Sequence, residues 1–253
     1  MTVDRNTLLG AANDLLKPEM FSDYCPNGLQ VEGRAKISKL VVGVTACQAL
    51  IDRAVDQGAD ALLVHHGFFW KGEDPVVAGM KYQRLKKLIE NGVNLIAYHL
   101  PLDAHPVVGN NAQLAKRLGI EVTGGLEADN PYSVGNIGRL AAPQSATQFG
   151  QLVASTLGRE PLVIEGGDRL IDTIAWCTGS AQGYIEQAAS CGADAYLSGE
   201  ISEPTVHSAR ELGIHYFAAG HHATERYGVQ GLGEYLASQF GLDYTFIDVD
   251  NPA

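Results

Sequence analysis

The sequence predicts an α/β protein made of two pseudo-repeated α/β lobes with mostly parallel sheets, and three observations predict it. Ile37–His66 recurs without a gap as Ile171–Glu200, with nine of thirty positions identical and Gly-Ala-Asp-Ala whole in both copies. Self-similarity at a fixed offset marks a duplicated structural unit. Each copy reads as an apolar run, a helical pattern and a second apolar run, which is the signature of a parallel βαβ crossover. Finally, 253 residues exceed what one hydrophobic core usually serves.

The elements follow in order. Leu40–Thr45 is a β-branched apolar run of the kind buried on both faces. Leu50, Ala54 and Val55 then recur at helical spacing, Gly58 ends that helix, and Ala61–Val64 is the second strand. The second copy repeats this as Ile174–Thr178, Ile185–Ala189, Gly192 and Ala195–Leu197. Each unit continues: Lys81–Asn91 is an amphipathic helix followed by the strand Val93–Tyr98, and Thr205–Leu212 is followed by Ile214–Ala219. The offset between copies drops from 134 to 122 here, so the first copy carries an extra loop, Phe68–Gly79. Val134–Leu140 and Pro161–Glu165 read as additional strands of the second half. Gly124–Tyr132, polar with Gly and Pro, reads as a linker. The last helix, Ala223–Phe240, and the last strand, Tyr244–Val249, are expected to return to the first lobe. The expected lobes are therefore 1–125 with 226–253, and 126–225.

Composition narrows the class. Eighteen Lys and Arg against 29 Asp and Glu give a net charge of −11, with no basic run denser than Lys86-Lys87. Such a surface repels a phosphate backbone, which argues against a nucleic-acid partner. No apolar stretch reaches the roughly 18 residues of a membrane helix, and the N-terminus lacks a basic start followed by an apolar run. Cys25, Cys47, Cys177 and Cys191 lie far apart without a CxxC pair, as reduced thiols do. A cytoplasmic protein is expected.

In parallel α/β sheets, ligands bind beyond the carboxyl ends of the strands. Here those ends carry His65-His66, then His99 with Asp103 four residues on, then Ser198-Gly199-Glu200, and then Gly220-His221-His222 with Glu225 beyond. Five of eight histidines and three carboxylates thus fall at four equivalent places of a repeat. Neutral imidazole with carboxylate is the donor set of Zn, Mn, Fe, Co or Ni. Two lobes offering this many donors suit two ions, expected between the lobes. A pair about 3.5–4 Å apart can activate a bridging water.

Local geometry sets further expectations. Successive strand side chains point to opposite faces, so His65 and His66 should lie where their strand has already ended. Pro101 disfavours the α conformation at Leu100, so His99–Asp103 should be a stiff loop. His221 and Glu225 should share one face of a helix's first turn. Several histidines read as structural instead: His207 mid-helix, His215 at a strand start, and His105 before Pro106. His222 stays open. Glu200 either serves the site or holds a histidine from behind. Phe68, Phe69 and Trp70 either line a pocket or pack their own loop. There is no GxxxxGK[ST] loop and no strand-linked GxGxxG.

Asn27-Gly-Leu-Gln-Val31, the His65-His66 pair with its aromatics, His99-x-x-x-Asp103 and Gly220-His-x-x-x-Glu225 together resemble the NIF3-like family, also called GTP cyclohydrolase 1 type 2 homologs, in its short bacterial form. The resemblance covers essentially the whole chain. It implies a dinuclear centre with two divalent metal ions per subunit, liganded by His65, His66, Asp103, His221 and Glu225, with His99 close by. It also implies a toroidal homohexamer, a trimer of dimers. In the second copy Gly199 and Glu200 replace His65 and His66, so the ligands are spread asymmetrically over the repeat.

Two functional readings follow. One is a metal-dependent hydrolase of a nucleotide or related small molecule, GTP cyclohydrolase 1 type 2-like, with His99 or Glu200 carrying the proton. The other is a non-catalytic, metal-binding hexameric scaffold that engages a protein or nucleic-acid partner.

Overall fold

The computed structural model describes residues 1–253. The chain divides into two compact units: Met1–Leu102 with Gly228–Asp250, and Asp103–Tyr227 with Asn251–Ala253. The first begins with β1 (Val3–Asp4), α1 (Arg5–Leu16), β2 (Gly28–Val31), β3 (Lys36–Ile37), β4 (Lys39–Thr45), α2 (Gln48–Asp56), β5 (Ala61–His66), α3 (Gly79–Glu90) and β6 (Asn94–Ala97). The short α4 (Leu100–Ala104) runs through the division. The second unit holds α5 (Asn110–Leu118), β7 (Ile120–Gly125), β8 (Asn136–Gln144), α6 (Ala146–Leu157), β9 (Leu162–Ile164), β10 (Ile171–Cys177), α7 (Ile185–Ser190), β11 (Ala195–Ser198), α8 (Glu203–Leu212) and β12 (His215–Ala218). Helix α9 (His221–Phe240) again passes the division, and β13 (Asp243–Phe246) ends the first unit.

In the first unit a five-stranded sheet has the order β13-β4-β5-β6-β2. The first four strands are parallel, and β2 joins β6 antiparallel at the edge. Val41, Leu62, Val64, Leu95 and Ala97 form one face and bury against Leu50, Ile51 and Ala54 of α2 and Leu85 and Leu88 of α3. Such clustering follows from apolar residues three and four apart on each helix. On the other face α9 lies so close that a Cβ at Gly233 would meet Val42 Cγ1 at 2.7 Å.

The second sheet, β7-β8-β10-β11-β12-β9, repeats the arrangement: β10-β11-β12 is the parallel centre, as β4-β5-β6 is in the first. Antiparallel strands flank it on both sides. Alternation along each strand sends Ile174, Trp176, Leu197 and Phe217 to one face, with Leu114 of α5 and Phe149 and Val153 of α6. Ala175, Cys177, Tyr196 and Tyr216 go to the other, with Ile185 of α7 and Ala209 of α8. No helix is long and apolar enough to cross a membrane.

Two differences from the sequence reading concern this scaffold. The first lobe was expected to extend to residue 125 and a linker to start at Gly124, but Ile120–Gly125 pairs antiparallel with β8 and so belongs to the second sheet. His99–Asp103 is also not a loop: Leu100–Ala104 is helical. Pro101 sits in the first turn, where its missing N–H would have had no partner within the helix, so the helix tolerates it.

The repeat's shared Gly-Ala-Asp-Ala has a structural cause. Asp60 Oδ2 accepts hydrogen bonds from the Ser38 and Lys39 amides at 2.9 and 3.1 Å. In the second copy Asp194 Oδ2 accepts from the Asp172 and Thr173 amides at 3.1 and 3.0 Å. Each aspartate pins the start of the neighbouring strand, and each faces an arginine, Arg34 at 3.4 Å and Arg169 at 3.5 Å.

Candidate metal centre

Strand β5 carries its histidines further than expected. His66 is still within the strand, opposite Thr45 of β4, yet the rings of His65 and His66 are only 4.5 Å apart. They converge because each leans on a different neighbouring strand end. His65, fully buried, donates Nδ1–H to the Tyr98 carbonyl just beyond β6, at 2.9 Å. His66 Nδ1 shares a hydrogen bond with the Thr45 hydroxyl at 3.0 Å. His99 joins them, its ring 5.1 Å from His65 and 5.8 Å from His66. Its Nδ1 lies 2.7 Å from Asp23 Oδ1. One ring nitrogen of each of these three histidines falls within 4.8 Å of the others.

The second unit builds its cluster from the start of α9. His221 and Glu225, four apart on the helix, bring Nε2 within 3.2 Å of Oε2. Glu200, just after β11, accepts from His221 Nδ1 at 2.7 Å. Glu200 is itself held by its carbonyl, which accepts from the Ser198 and Tyr216 hydroxyls at 2.9 and 2.5 Å. Asp103 is buried and accepts from Asn110 Nδ2 at 2.8 Å and the Thr178 hydroxyl at 3.3 Å. Its carboxylate oxygen lies within 4.8 Å of one from Glu225.

The asymmetry of the repeat has a steric reason. Gly199 stands where the first copy has His65, and a Cβ there would lie 2.6 Å from His221 Cα and 2.7 Å from the Gly179 carbonyl. The first turn of α9 occupies the space a side chain would need. Gly179 serves likewise: a Cβ on it would fall 2.1 Å from Glu225 Oε1.

One rule unites the histidines. In His65, His66, His99 and His221 the Nδ1 atom is committed to a protein partner, namely the Tyr98 carbonyl, the Thr45 hydroxyl, Asp23 and Glu200. Nε2 is therefore the nitrogen each can offer to a metal, and the bond at Nδ1 sets tautomer and ring orientation, as is usual behind metal-binding histidines. The electrostatics agree. Burial works against a charge on His221, but the hydrogen bonds and charges of Glu225 and Glu200 outweigh it and raise its pKa to about 9. A field that holds a proton there so firmly also suits a divalent cation.

Other residues fall outside these clusters. His207 is exposed and pairs with Glu203 at 3.0 Å. His215 is buried against the Arg169 carbonyl at 3.0 Å. His105 Nδ1 accepts from the Val107 and Val108 amides. His222 is buried, with its backbone amide on the Ala253 carbonyl at 3.2 Å. Cys25 lies near Asp23 and His99, but burial and the Asp23 charge push its thiol up to about 12, which keeps it protonated. Phe68 is buried, and Trp70 sets its ring edge-on to His99 at 5.1 Å. Between them Phe69 adopts φ 66°, a strained left-handed conformation for a bulky residue. The sequence reading missed Thr45 and Asp23. Thr45 ends a central strand and was open to the same strand-end rule, whereas Asp23 sits in an irregular segment without periodicity.

Fold and donor set together define an α/β protein of duplicated build with histidine–carboxylate clusters able to hold divalent cations. The family model for Duf34/NIF3 (NGG1p interacting factor 3) matches residues 3–252. The chain is 58% identical over 253 residues to the GTP cyclohydrolase 1 type 2 homolog of Pseudomonas aeruginosa, covering 100% of both. It matches the solved structure of the structural-genomics protein ybgI with TM-score 0.95 and 50% identity, over 99% of this chain and 100% of that one. TTHA1606 from Thermus thermophilus matches with TM-score 0.90 and 34% identity over the same shares. The chain belongs to the Duf34/NIF3 family.

Proposed function

We propose that His65, His66, Asp103, His221 and Glu225 together hold two divalent metal ions, and that the protein is a metal-dependent hydrolase of a nucleotide or related small molecule, similar in reaction to a GTP cyclohydrolase. The observation that carries this reading is the commitment of Nδ1 in His65, His66 and His221 beside the buried carboxylates Asp103 and Glu225. The pseudo-equivalent motifs His99-x-x-x-Asp103 and His221-x-x-x-Glu225 close the two halves of the repeat alike, which supports a common role for their residues.

Bound divalent ions supply Lewis-acid activation of water and of a polar substrate bond. This chain's own residues do the rest. Glu200 orients His221, Asn110 and Thr178 orient Asp103, and His99 Nε2 moves a proton to or from the reacting group. Trp70 and Tyr24 beside His99 offer aromatic surface to a heteroaromatic substrate. The proposal extends to a homohexamer of the 27.0 kDa chain, in the cytoplasm.

The test is metal analysis of purified wild type beside His65→Ala and Glu225→Ala, with GTP turnover followed on the same samples. About two metals per chain, lost together with turnover in both variants, is the expected result. Metal bound without turnover of GTP or related nucleotides favours the scaffold reading instead. Absence of metal after reconstitution overturns the proposal. Light scattering of the same wild-type sample reads the assembly, with a hexamer expected.

A further inference from the structure

The hydrogen bonds around Asp23 determine where the proton of His99 sits. The Asp23 side chain is 4% exposed, and its carboxylate accepts four hydrogen bonds. Oδ1 accepts from the Tyr24 amide at 2.6 Å and from His99 Nδ1 at 2.7 Å. Oδ2 accepts from Asn27 Nδ2 at 2.8 Å and from the Leu100 amide at 3.0 Å. A carboxylate offers about four lone-pair sites, so all are taken.

Three of these donors have no alternative. Two are backbone N–H groups. The third, the Asn27 amide, cannot flip, because its Oδ1 accepts the backbone N–H of His99 at 2.8 Å. His99 must therefore donate from Nδ1 as well, since no acceptor capacity faces any other arrangement. The ring is further confined by Trp70, edge-on at 5.1 Å, and by Tyr24 at 6.3 Å. The two confining segments are tied to each other by the Lys71 amide on the Tyr24 carbonyl at 2.6 Å.

We propose that Asp23, braced by Asn27, is a positioning residue that locks neutral His99 as the Nδ1–H tautomer and so keeps Nε2 as a proton acceptor beside His65 and His66. In use, a proton leaves a water or substrate hydroxyl for Nε2, and the resulting imidazolium keeps its Nδ1–H on Asp23, which is not itself protonated. Asp23 thus touches neither substrate nor metal. Its use rests on the hydrolase reading, whereas the tautomer does not.

Asp23→Asn is the discriminating change, because it puts an NH₂ group where only acceptors fit. Of the four partners only His99 can adapt, by moving its proton to Nε2 and accepting at Nδ1. Solid-state ¹⁵N spectra of the full-length, metal-free protein with labelled histidine would read this, with the His99 signals identified by their loss in His99→Gln. The expected result is Nδ1–H in the wild type and Nε2–H in Asp23→Asn. Metal content should be unchanged in the variant, and turnover, once a substrate is in hand, reduced by about 10²–10⁴-fold. Neutral His99 protonated at Nε2 in the wild type overturns the proposal without need of any variant, as does an unchanged tautomer in folded Asp23→Asn. If the wild type proves to have no hydrolase activity, the function reading fails while the tautomer result still decides this one.

Discussion

Asp60 and Asp194, 134 positions apart, make the same pair of backbone hydrogen bonds in their respective sheets. The shared contact explains why this aspartate survives in both halves of a repeat whose other positions have mostly diverged: it closes the backbone bonding of a parallel strand pair at its first residues. Asp60 also has a pH signature. Burial opposes its charge, but the hydrogen bonds from Ser38 and Lys39 and the nearby Arg34 outweigh that, holding its carboxyl below the usual value of 3.8. With the folded value below the unfolded one, its contribution is present above about pH 4 and disappears as pH falls through the folded value. Asp60→Asn should cost about 2–3 kcal/mol at pH 7. Urea melts of both proteins between pH 7 and pH 3 should show the gap narrowing only at the acid end.

Gly199→Ala tests the steric account of the asymmetric repeat. The added methyl would stand 2.6 Å from His221 Cα, so the start of α9 must shift. A loss of about 1–3 kcal/mol is expected, with weaker metal binding because His221 and Glu225 move together. Ala at Gly183, where nothing lies within 4 Å of the added Cβ, is the matched control and should leave metal binding as it was.

Glu200→Gln keeps the shape of the side chain that holds His221 but removes its charge. Metal affinity should drop by about 10–100-fold, the usual cost of losing a partner behind a ligating histidine. Competition with a chromophoric chelator reads this directly. An affinity equal to that of the wild type would show that Glu200 does not support His221 as a metal ligand.

Divalent zinc should raise the melting temperature, since a ligand bound only by the folded state adds about 2.7 kcal/mol at a hundred times its Kd. The increment should vanish in His66→Ala. In Cys25→Ala it should persist in full, because Cys25 is not among the proposed ligands. Loss of the increment in Cys25→Ala would bring the thiol into the site.

Much of this arrangement is legible in the chain because duplication repeats the signal. The βαβ core of each half, the strand ends bearing His65, His99 and His221, and the helical pairing of His221 with Glu225 all follow from periodicity and spacing. What escapes is local compensation. Pro101 enters a helix because the first turn needs no N–H from it. Gly124 and Gly125 read as the start of a linker because two glycines hide the end of a strand defined only by its pairing with β8. The groups behind the histidines are harder still: the Tyr98 carbonyl is backbone and carries no sequence signature, and Asp23 reaches His99 across 76 positions.

The position of β13 has a consequence for biosynthesis. Leu40, Val41 and Val42 of β4 are fully buried, and β13, more than 190 residues later, pairs alongside them. While the ribosome is still making Asp103–Tyr227, β4 therefore stands as a bare, strongly apolar sheet edge of the kind that recruits other chains. The nascent protein passes through most of its synthesis with the first sheet waiting for this strand. Truncation just before Asp243 should consequently convert a well-behaved chain into an aggregating one, even though it removes none of the histidines or carboxylates of the candidate metal centre.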